Sequence, residues 1–171
     1  MALEVASLRP RAGGDKVTYA TKVALRSLGR RVLALDAEKA ALDELLGELV
    51  GTVAEDLLAL YGVGVDSAAA LLVAAGDNPE RLRSEAAWAH LCGVAPIDAS
   101  SGKVTRHRLD RGGDRQANAA LWRIVMCRMR NEPRTRAHVE RRTAEGRSKP
   151  EIMRVLKRYV AREVYYYLPR H

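Results

Sequence analysis

The residues best suited to chemistry lie in a short segment where two serines precede a glycine and cations follow. Ser101 stands directly before Gly102, and five basic residues occur within the next fourteen positions: Lys103, Arg106, Arg108, Arg111 and Arg115. A serine hydroxyl is a weak nucleophile that needs a base or strong electrostatic help, and arginines can stabilise the charge that builds on a phosphate under attack. The residue types indicate phosphodiester chemistry, with Ser101 as nucleophile and the cations as nucleic-acid contacts. The spacing alone favours a solvated turn.

A second candidate for phosphate contact is the glycine turn over residues 61–65. A Gly-apolar-Gly turn between two short helices is typical of a helix-hairpin-helix element, in which the glycines let the backbone approach a phosphate and the second helix offers free N–H groups. We predict that Gly62 and Gly64 contact nucleic acid in this way, independently of base sequence. The alternative is a plain turn between core helices, which Asp66 favours because its carboxylate would compete for those N–H groups.

The composition supports a polyanionic partner and a helical fold. The 171 residues carry a formal net charge of +8 and include no phenylalanine. Such an excess of positive charge promotes association with nucleic acid. Cys92 and Cys127 lie in apolar helical patterns, so we expect free thiols, a reducing compartment and a cytoplasmic location. No apolar run reaches the roughly 18 residues that cross a membrane, so no membrane partner is expected.

These groups must be positioned by helices, and the sequence predicts an all-α protein in three parts. Residues 1–14, with Pro10 and two glycines, form a flexible leader. Residues 15–50 form one long helix whose apolar positions recur at spacings of three and four, as in a coiled coil. This seam consists of Leu25, Leu28, Val32, Leu35, Leu42, Leu46 and Leu49 and is interrupted only by Lys39, a polar residue that can set register or the number of partners. We expect a homo-oligomer through 25–49, with packing of this face on the chain's own domain as the alternative.

Residues 51–171 are predicted to form a compact helical domain around the glycine turn and a basic loop at 94–113. The loop contains Pro96 and three glycines, which suits either a long connection or a small hairpin. Ser84, Asp114 and Ser148 each precede a helical pattern, where N-cap residues belong.

Several other side chains were candidates for the core or for a metal. We expect Trp88, Trp122 and Tyr159 to face the core, and the aromatic run 165–167 to pack on the domain. Four potential metal ligands have spacings that do not match paired zinc ligands, so no metal site is predicted. They are His90, Cys92, His107 and Cys127.

The order of the segments is more specific than any one of them. The first segment is Tyr61-Gly62-Val63-Gly64 together with residues 68–72, and the second is residues 86–96. Residues 100–103 come next, and residues 111–115 then lead into Ala119-Ala120-Leu121. This order resembles the C-terminal transposase domain of the IS116/IS110/IS902 insertion-sequence family over about residues 55–168. The seam at 25–49 is similar to the coiled-coil segment that precedes this domain in the family.

The resemblance implies a DNA recombinase that moves insertion sequences, with DNA and a structured guide RNA as partners. It gives the nucleophile role to Ser101, with Ser100 as the neighbouring control, and phosphate contacts to Lys103, Arg106 and Arg108. In the family an N-terminal domain with four acidic residues binds Mg²⁺. Residues 1–14 leave no room for that domain, so we expect no cofactor in this chain and a C-terminal part that does not transfer strands alone.

The same features permit two other functions. One is a non-enzymatic DNA-binding module that uses the helix-hairpin-helix element and the basic loop. The other is an oligomerisation partner of a full-length transposase. Covalent trapping of DNA on Ser101 separates the enzymatic function from both.

Overall fold

A computed structural model describes residues 1–11, 13, 15–76, 79–98, 107–108, 110 and 112–169. Its helices are α1 (Ala2–Ala6), α2 (Lys16–Leu58), α3 (Val65–Ala75), α4 (Glu85–Leu91), α5 (Arg115–Asn131), α6 (Pro133–Ala144) and α7 (Lys149–Tyr165). A short 3₁₀ helix, Pro79–Leu82, precedes α4. The strands β1 (Ile97–Asp98) and β2 (His107–Arg108) pair antiparallel as a small hairpin within the basic loop. The prediction of an all-α protein with a long N-terminal helix is confirmed.

The chain forms two compact units, Met1–Leu45 and Leu46–His171. In the first unit α1 lies on α2 at Gly29, where an added Cβ would meet the backbone nitrogen of Ala6 at 2.7 Å. The missing side chain therefore permits this close approach. The seam is not covered by α1, because Leu28 is 60% exposed and Leu42 is 65% exposed.

The long helix continues past its predicted end at Val50. It is kinked at Ala54, whose φ of −150° and ψ of 53° are not helical, and it ends at Leu58. Val50, Ala54 and Leu57 are buried in the core of the second unit. Burial of this apolar face stabilises the added turns, which the sequence pattern assigned to the following domain.

The core of the second unit is built around α5, which packs on α3, α6 and α7, while α4 packs on α7. Its largest fully buried side chains are Trp88, Leu57, Leu71, Leu121, Ile124, Val125, Val164 and Cys92. Each large apolar side chain contributes roughly 1.5–3 kcal/mol by leaving water. Trp88 is thus a core residue, as predicted.

Two aromatic residues assigned to the core are exposed instead. Trp122 is 48% exposed and Tyr159 is 53% exposed. Each is a direct neighbour of a buried residue, Leu121 or Val160, and adjacent side chains on a helix point in different directions. Of the run 165–167, the Tyr165 hydroxyl donates to the Leu82 carbonyl at 3.2 Å, whereas the other two tyrosines are exposed.

The predicted helix starts and thiols agree with the structure. Ser84 Oγ accepts a hydrogen bond from the Ala87 N–H at 3.2 Å, and Asp114 Oδ1 accepts one from the Ala117 N–H at 2.8 Å. The third predicted N-cap, Ser148, directly precedes α7 and caps it. Both cysteines are free thiols, and burial raises the pKa of Cys92 far above its usual range. No helix in the described ranges is long and apolar enough to cross a membrane.

Candidate nucleic-acid interface

The serine segment connects β1 to β2, and the structure describes both of its ends. Ile97 pairs with Arg108, and Asp98 pairs with His107. Arg108 and Arg115 are the predicted cationic contacts that are described, and both are exposed. The remaining predicted residues of this segment lie outside the described residues. They are Ser100, Ser101, Lys103, Arg106 and Arg111.

Two glycines fix the chain that follows the hairpin against the end of α4. An added Cβ on Gly113 would lie 2.1 Å from the backbone nitrogen of Gly93, so no larger residue fits there. Gly93 itself has a φ of +62°, which L side chains rarely adopt. The Asp114 N–H donates to the Leu91 carbonyl at 2.6 Å, directly after this close approach. The close contact between Gly93 and Gly113 therefore sets where the basic loop leaves the helical core.

Asn118 on α5 holds the same backbone from inside. Its Nδ2 donates to the carbonyls of Cys92 at 2.8 Å and Gly93 at 3.2 Å. Its Oδ1 accepts from Lys157 Nζ on α7 at 2.8 Å. Burial, with the charge of Arg154, lowers the pKa of Lys157. Sequence reasoning missed Asn118, although a polar residue three positions before Leu121 on the buried stripe of α5 signals a satisfied buried amide.

The connection after β2 places a carboxylate, Asp110, beside His90, an exposed histidine of α4. His90 Nδ1 lies 3.5 Å from Asp110 Oδ2, and Asp110 Oδ1 accepts the Gly112 N–H at 2.9 Å. Within the described part of the chain, no three His, Cys, Asp or Glu side chains lie close enough together to hold a metal ion. The His90 and Asp110 donors therefore do not fit a divalent cation.

The glycine turn presents its two glycines to different surroundings. Gly62 has a φ of +79°, and an added Cβ would lie 3.4 Å from the Arg128 side chain and the Ile124 carbonyl, so this residue faces α5. Gly64 begins α3, and no described atom lies within 4 Å of the position that its Cβ would occupy. Only Gly64 is thus open to approach from outside, at the positive end of the α3 dipole.

A buried arginine that the sequence reasoning missed holds this turn. Arg128 on α5 is only 8% exposed. Its Nε donates to the Tyr61 carbonyl at 2.8 Å, and its Nη1 donates to Glu163 Oε2 at 2.6 Å. The signal was an arginine on the apolar stripe of α5, four residues after Ile124. The turn is therefore tied to both α5 and α7.

A cavity of about 750 Å³ lies beside the hairpin, lined by segment 93–96, β2, α6 and α7. Six cationic side chains line it against two carboxylates, those of Asp110 and Glu151. The cations are Arg108, Arg142, Arg147, Arg154, Lys157 and Arg158. This excess of positive charge in a concave, partly apolar wall attracts an anion.

Ion pairs neutralise some of these cations and leave others available. Arg142 pairs with Glu145, Arg147 lies 3.8 Å from Glu151, and Arg158 pairs with Glu85. Arg108 and Arg154 form no ion pair with any residue that the structure describes. These two arginines are therefore available to an external anion, although the charge of Arg154, after the hydrogen bonds from Ser148, also helps to lower the pKa of the Glu151 carboxyl.

His138 adds an uncharged ring to the cavity wall. Burial, together with the charges of Arg141 and Arg142, lowers its pKa, so the imidazole is neutral at neutral pH. Its ring meets the Tyr159 ring edge-on, with 6.2 Å between centroids. Its Nε2 is buried and has no hydrogen-bond partner among the described residues.

Comparison with known proteins gives a consistent result. Residues 54–140 match the sequence family described as the transposase IS116/IS110/IS902 family. The chain is 29% identical over 139 residues to the insertion element IS110 uncharacterized 43.6 kDa protein of Streptomyces coelicolor, a match that covers 80% of this chain and 34% of that protein. It is 28% identical over 134 residues to the insertion element IS900 uncharacterized 42 kDa protein of Mycobacterium paratuberculosis, with 77% and 34% covered. The chain thus spans about a third of the length of these relatives.

Proposed function

Because the chain belongs to the IS116/IS110/IS902 transposase family, we propose that it binds the DNA backbone and presents Ser101 to a phosphodiester during transposition. The observation that carries this proposal is Arg108, which belongs to β2 and also lines the cationic cavity. Ser101 lies seven residues before Arg108 in the same hairpin connection. A phosphate held at Arg108 would therefore lie at the described end of the connection that carries Ser101 in the sequence.

The electrostatics favour backbone contact over base recognition. A cationic side chain that neutralises a phosphate releases condensed counterions, which makes binding salt-dependent and insensitive to sequence. Arg108 and Arg154 suit this role because they form no ion pair with a described residue. The open N-terminus of α3 at Gly64 offers a second contact, through backbone N–H groups and the helix dipole.

The proposed chemical step conserves the number of bonds. The Ser101 oxygen forms a bond to phosphorus and gives up its proton, while the bond from phosphorus to a deoxyribose oxygen breaks and that oxygen leaves protonated. Nearby cations stabilise the charge on the phosphoryl oxygens in the transition state. Reversal of the step with another strand's hydroxyl joins the strands and restores the serine.

DNA binding through the cavity is tested by salt dependence. In fluorescence anisotropy with a labelled duplex, Arg154→Met should reduce the slope of log affinity against log salt by about 0.9 if one phosphate contact is lost. Arg134→Met on α6 is the matched control, because this exposed arginine does not line the cavity. An unchanged slope for Arg154→Met would exclude the cavity as the DNA site.

The role of Ser101 is tested in a chimera where this chain replaces the matching part of a relative that carries the acidic domain. We expect a protein–DNA adduct that survives denaturing gel electrophoresis. Ser101→Ala should abolish the adduct and leave DNA binding intact, whereas Ser100→Ala should retain both. An adduct that persists in Ser101→Ala assigns the nucleophile elsewhere.

The exposed seam favours a second function, self-association. Leu25, Val32 and Leu35 are between 41% and 50% exposed in the first unit, in line with the more exposed Leu28 and Leu42. A seam of this spacing buries its leucines when a second helix packs along it. We propose that a second copy of this chain, or of a longer transposase, occupies it.

A further inference from the structure

We propose that the cationic cavity holds one unpaired nucleotide of the bound DNA, with its phosphate on the arginines and its base against Tyr159. This inference rests on the proposed function and adds what the site recognises. The cavity volume of about 750 Å³ is far larger than a phosphate group needs. It lies within the range of about 300–1,000 Å³ typical of pockets that enclose small organic ligands.

The cavity walls offer both cationic and apolar groups, which match the phosphate and the base of a nucleotide. Arg108 and Arg154 supply cationic groups that form no ion pair with a described residue. Apolar and aromatic groups supply other parts of the wall, among them Pro96, Val155 and Tyr159. A groove that contacts only the outside of a duplex has no use for an apolar lining, whereas a base stacks well on an aromatic ring or an arginine plane.

Two further features suit a base. Tyr159 is 53% exposed, so its ring is accessible rather than buried in the core. His138 meets this ring edge-on, and its Nε2 has no partner in the described ranges. Arg141 Nη2 lies 3.3 Å from His138 Nδ1 and can only donate, so the neutral ring carries its proton on Nε2 and can donate one hydrogen bond to a base edge.

The concave shape requires the nucleotide to be unpaired. A base in a duplex is stacked on both faces and cannot enter a cavity unless it leaves the stack. A bulged, mismatched or single-stranded nucleotide has already lost part of that stacking and enters at a lower cost. Because Arg108 lies in β2, the captured nucleotide would lie at the described end of the connection that carries Ser101 in the sequence.

The test compares two duplexes that differ by one bulged 2-aminopurine nucleotide, using the full chain. Wild type should bind the bulged duplex about tenfold more tightly and quench the probe's emission, because stacking on an aromatic ring supports such a gain. Tyr159→Leu should remove both effects while leaving affinity for the paired duplex within about twofold. Tyr159→Phe should retain them, and Tyr166→Leu, an exposed tyrosine outside the cavity, is the control.

The possible outcomes of this experiment distinguish failure of this inference from failure of the proposed function. Equal affinity of wild type for the two duplexes would overturn the nucleotide pocket and leave backbone binding intact. Binding of neither duplex would overturn the proposed function itself. Preference for a bulged RNA duplex of the same sequence over the bulged DNA would assign the pocket to RNA and overturn the DNA occupant.

Discussion

Replacement of Gly113 by alanine should destabilise the protein through a single contact. An added Cβ would lie 2.1 Å from Gly93 N and 2.3 Å from Gly93 Cα, and real Cβ atoms essentially never approach heavy atoms within 3.0 Å. Both partners are backbone atoms, so no side chain can rotate away. The two segments must therefore separate by roughly 1 Å, in an interior that is packed to crystal density.

The expected loss of stability follows from the packing and the hydrogen bonds between the two segments. Overpacking alone costs about 1–3 kcal/mol. Separation also weakens the hydrogen bonds from the Asp114 N–H to Leu91 and from Asn118 to Cys92 and Gly93, each with a net contribution of about 1 kcal/mol. The alanine lowers the entropy of the unfolded chain and returns about 0.4–1 kcal/mol. We expect a net loss of about 3 kcal/mol in the free energy of unfolding.

Gly112→Ala is the matched control one residue earlier. Its added Cβ would lie 3.5 Å from Asp110 Oδ1, an ordinary contact, and neither glycine has a positive φ. Urea denaturation followed by circular dichroism should place the Gly113→Ala midpoint about 1.5 M below that of Gly112→Ala, for a slope near 2 kcal/mol/M. Midpoints within about 0.3 M of each other would show that the loop base adapts freely, contrary to this reasoning.

Three further predictions concern the turn, the seam and an ion-pair cluster. Gly64→Val should weaken DNA binding by about tenfold. The unfolding free energy should fall by less than about 1 kcal/mol, because no described atom lies near the added side chain and the φ of −97° is ordinary. Equal affinity of the two proteins in fluorescence anisotropy would make the turn purely structural. Lys39→Leu should tighten self-association in sedimentation velocity relative to Glu44→Leu, which lies off the seam, because an apolar residue there completes the helix interface; monomers at every concentration would reject the seam. Glu85 contacts Arg158 and Arg162, and although desolvation raises its pKa, their hydrogen bonds and charges lower it below the usual 4.5. A lowered folded pKa stabilises the fold above the usual glutamate value, so the stability lost in Glu85→Gln should be full at pH 7 and shrink as the pH falls below 4.5; a loss independent of pH would exclude this linkage.

The sequence predicted those features that depend on local chemistry. Ser84 and Asp114 cap their helices because a side-chain oxygen three residues before an N–H suffices to make the bond. The all-α class follows from the long helical periodicity and from a composition rich in alanine, leucine and arginine. The core position of Trp88 also follows from that periodicity.

Features that depend on which helices meet were not accessible from the sequence. Trp122 and Tyr159 are apolar enough for the core, but the faces of α5 and α7 that meet other helices run through Leu121 and Val160 instead. The cavity could not be predicted either, because Arg108 in β2 and Arg154 in α7 come together only through packing. Composition indicated the excess of positive charge and left its location open.

Two of the polar contacts that position the candidate site share one form, in which a side chain of α5 donates to backbone carbonyls far away in sequence. Asn118 binds Cys92 and Gly93, and Arg128 binds Tyr61, 67 residues before it. Every residue has a backbone carbonyl, so the sequence does not show which residue accepts such a hydrogen bond. The donor is detectable, because a polar group on a buried stripe is costly unless it is satisfied. Asn118 and Arg128 are both polar residues on the apolar stripe of α5. This helix therefore sets the positions of both the glycine turn and the base of the serine hairpin.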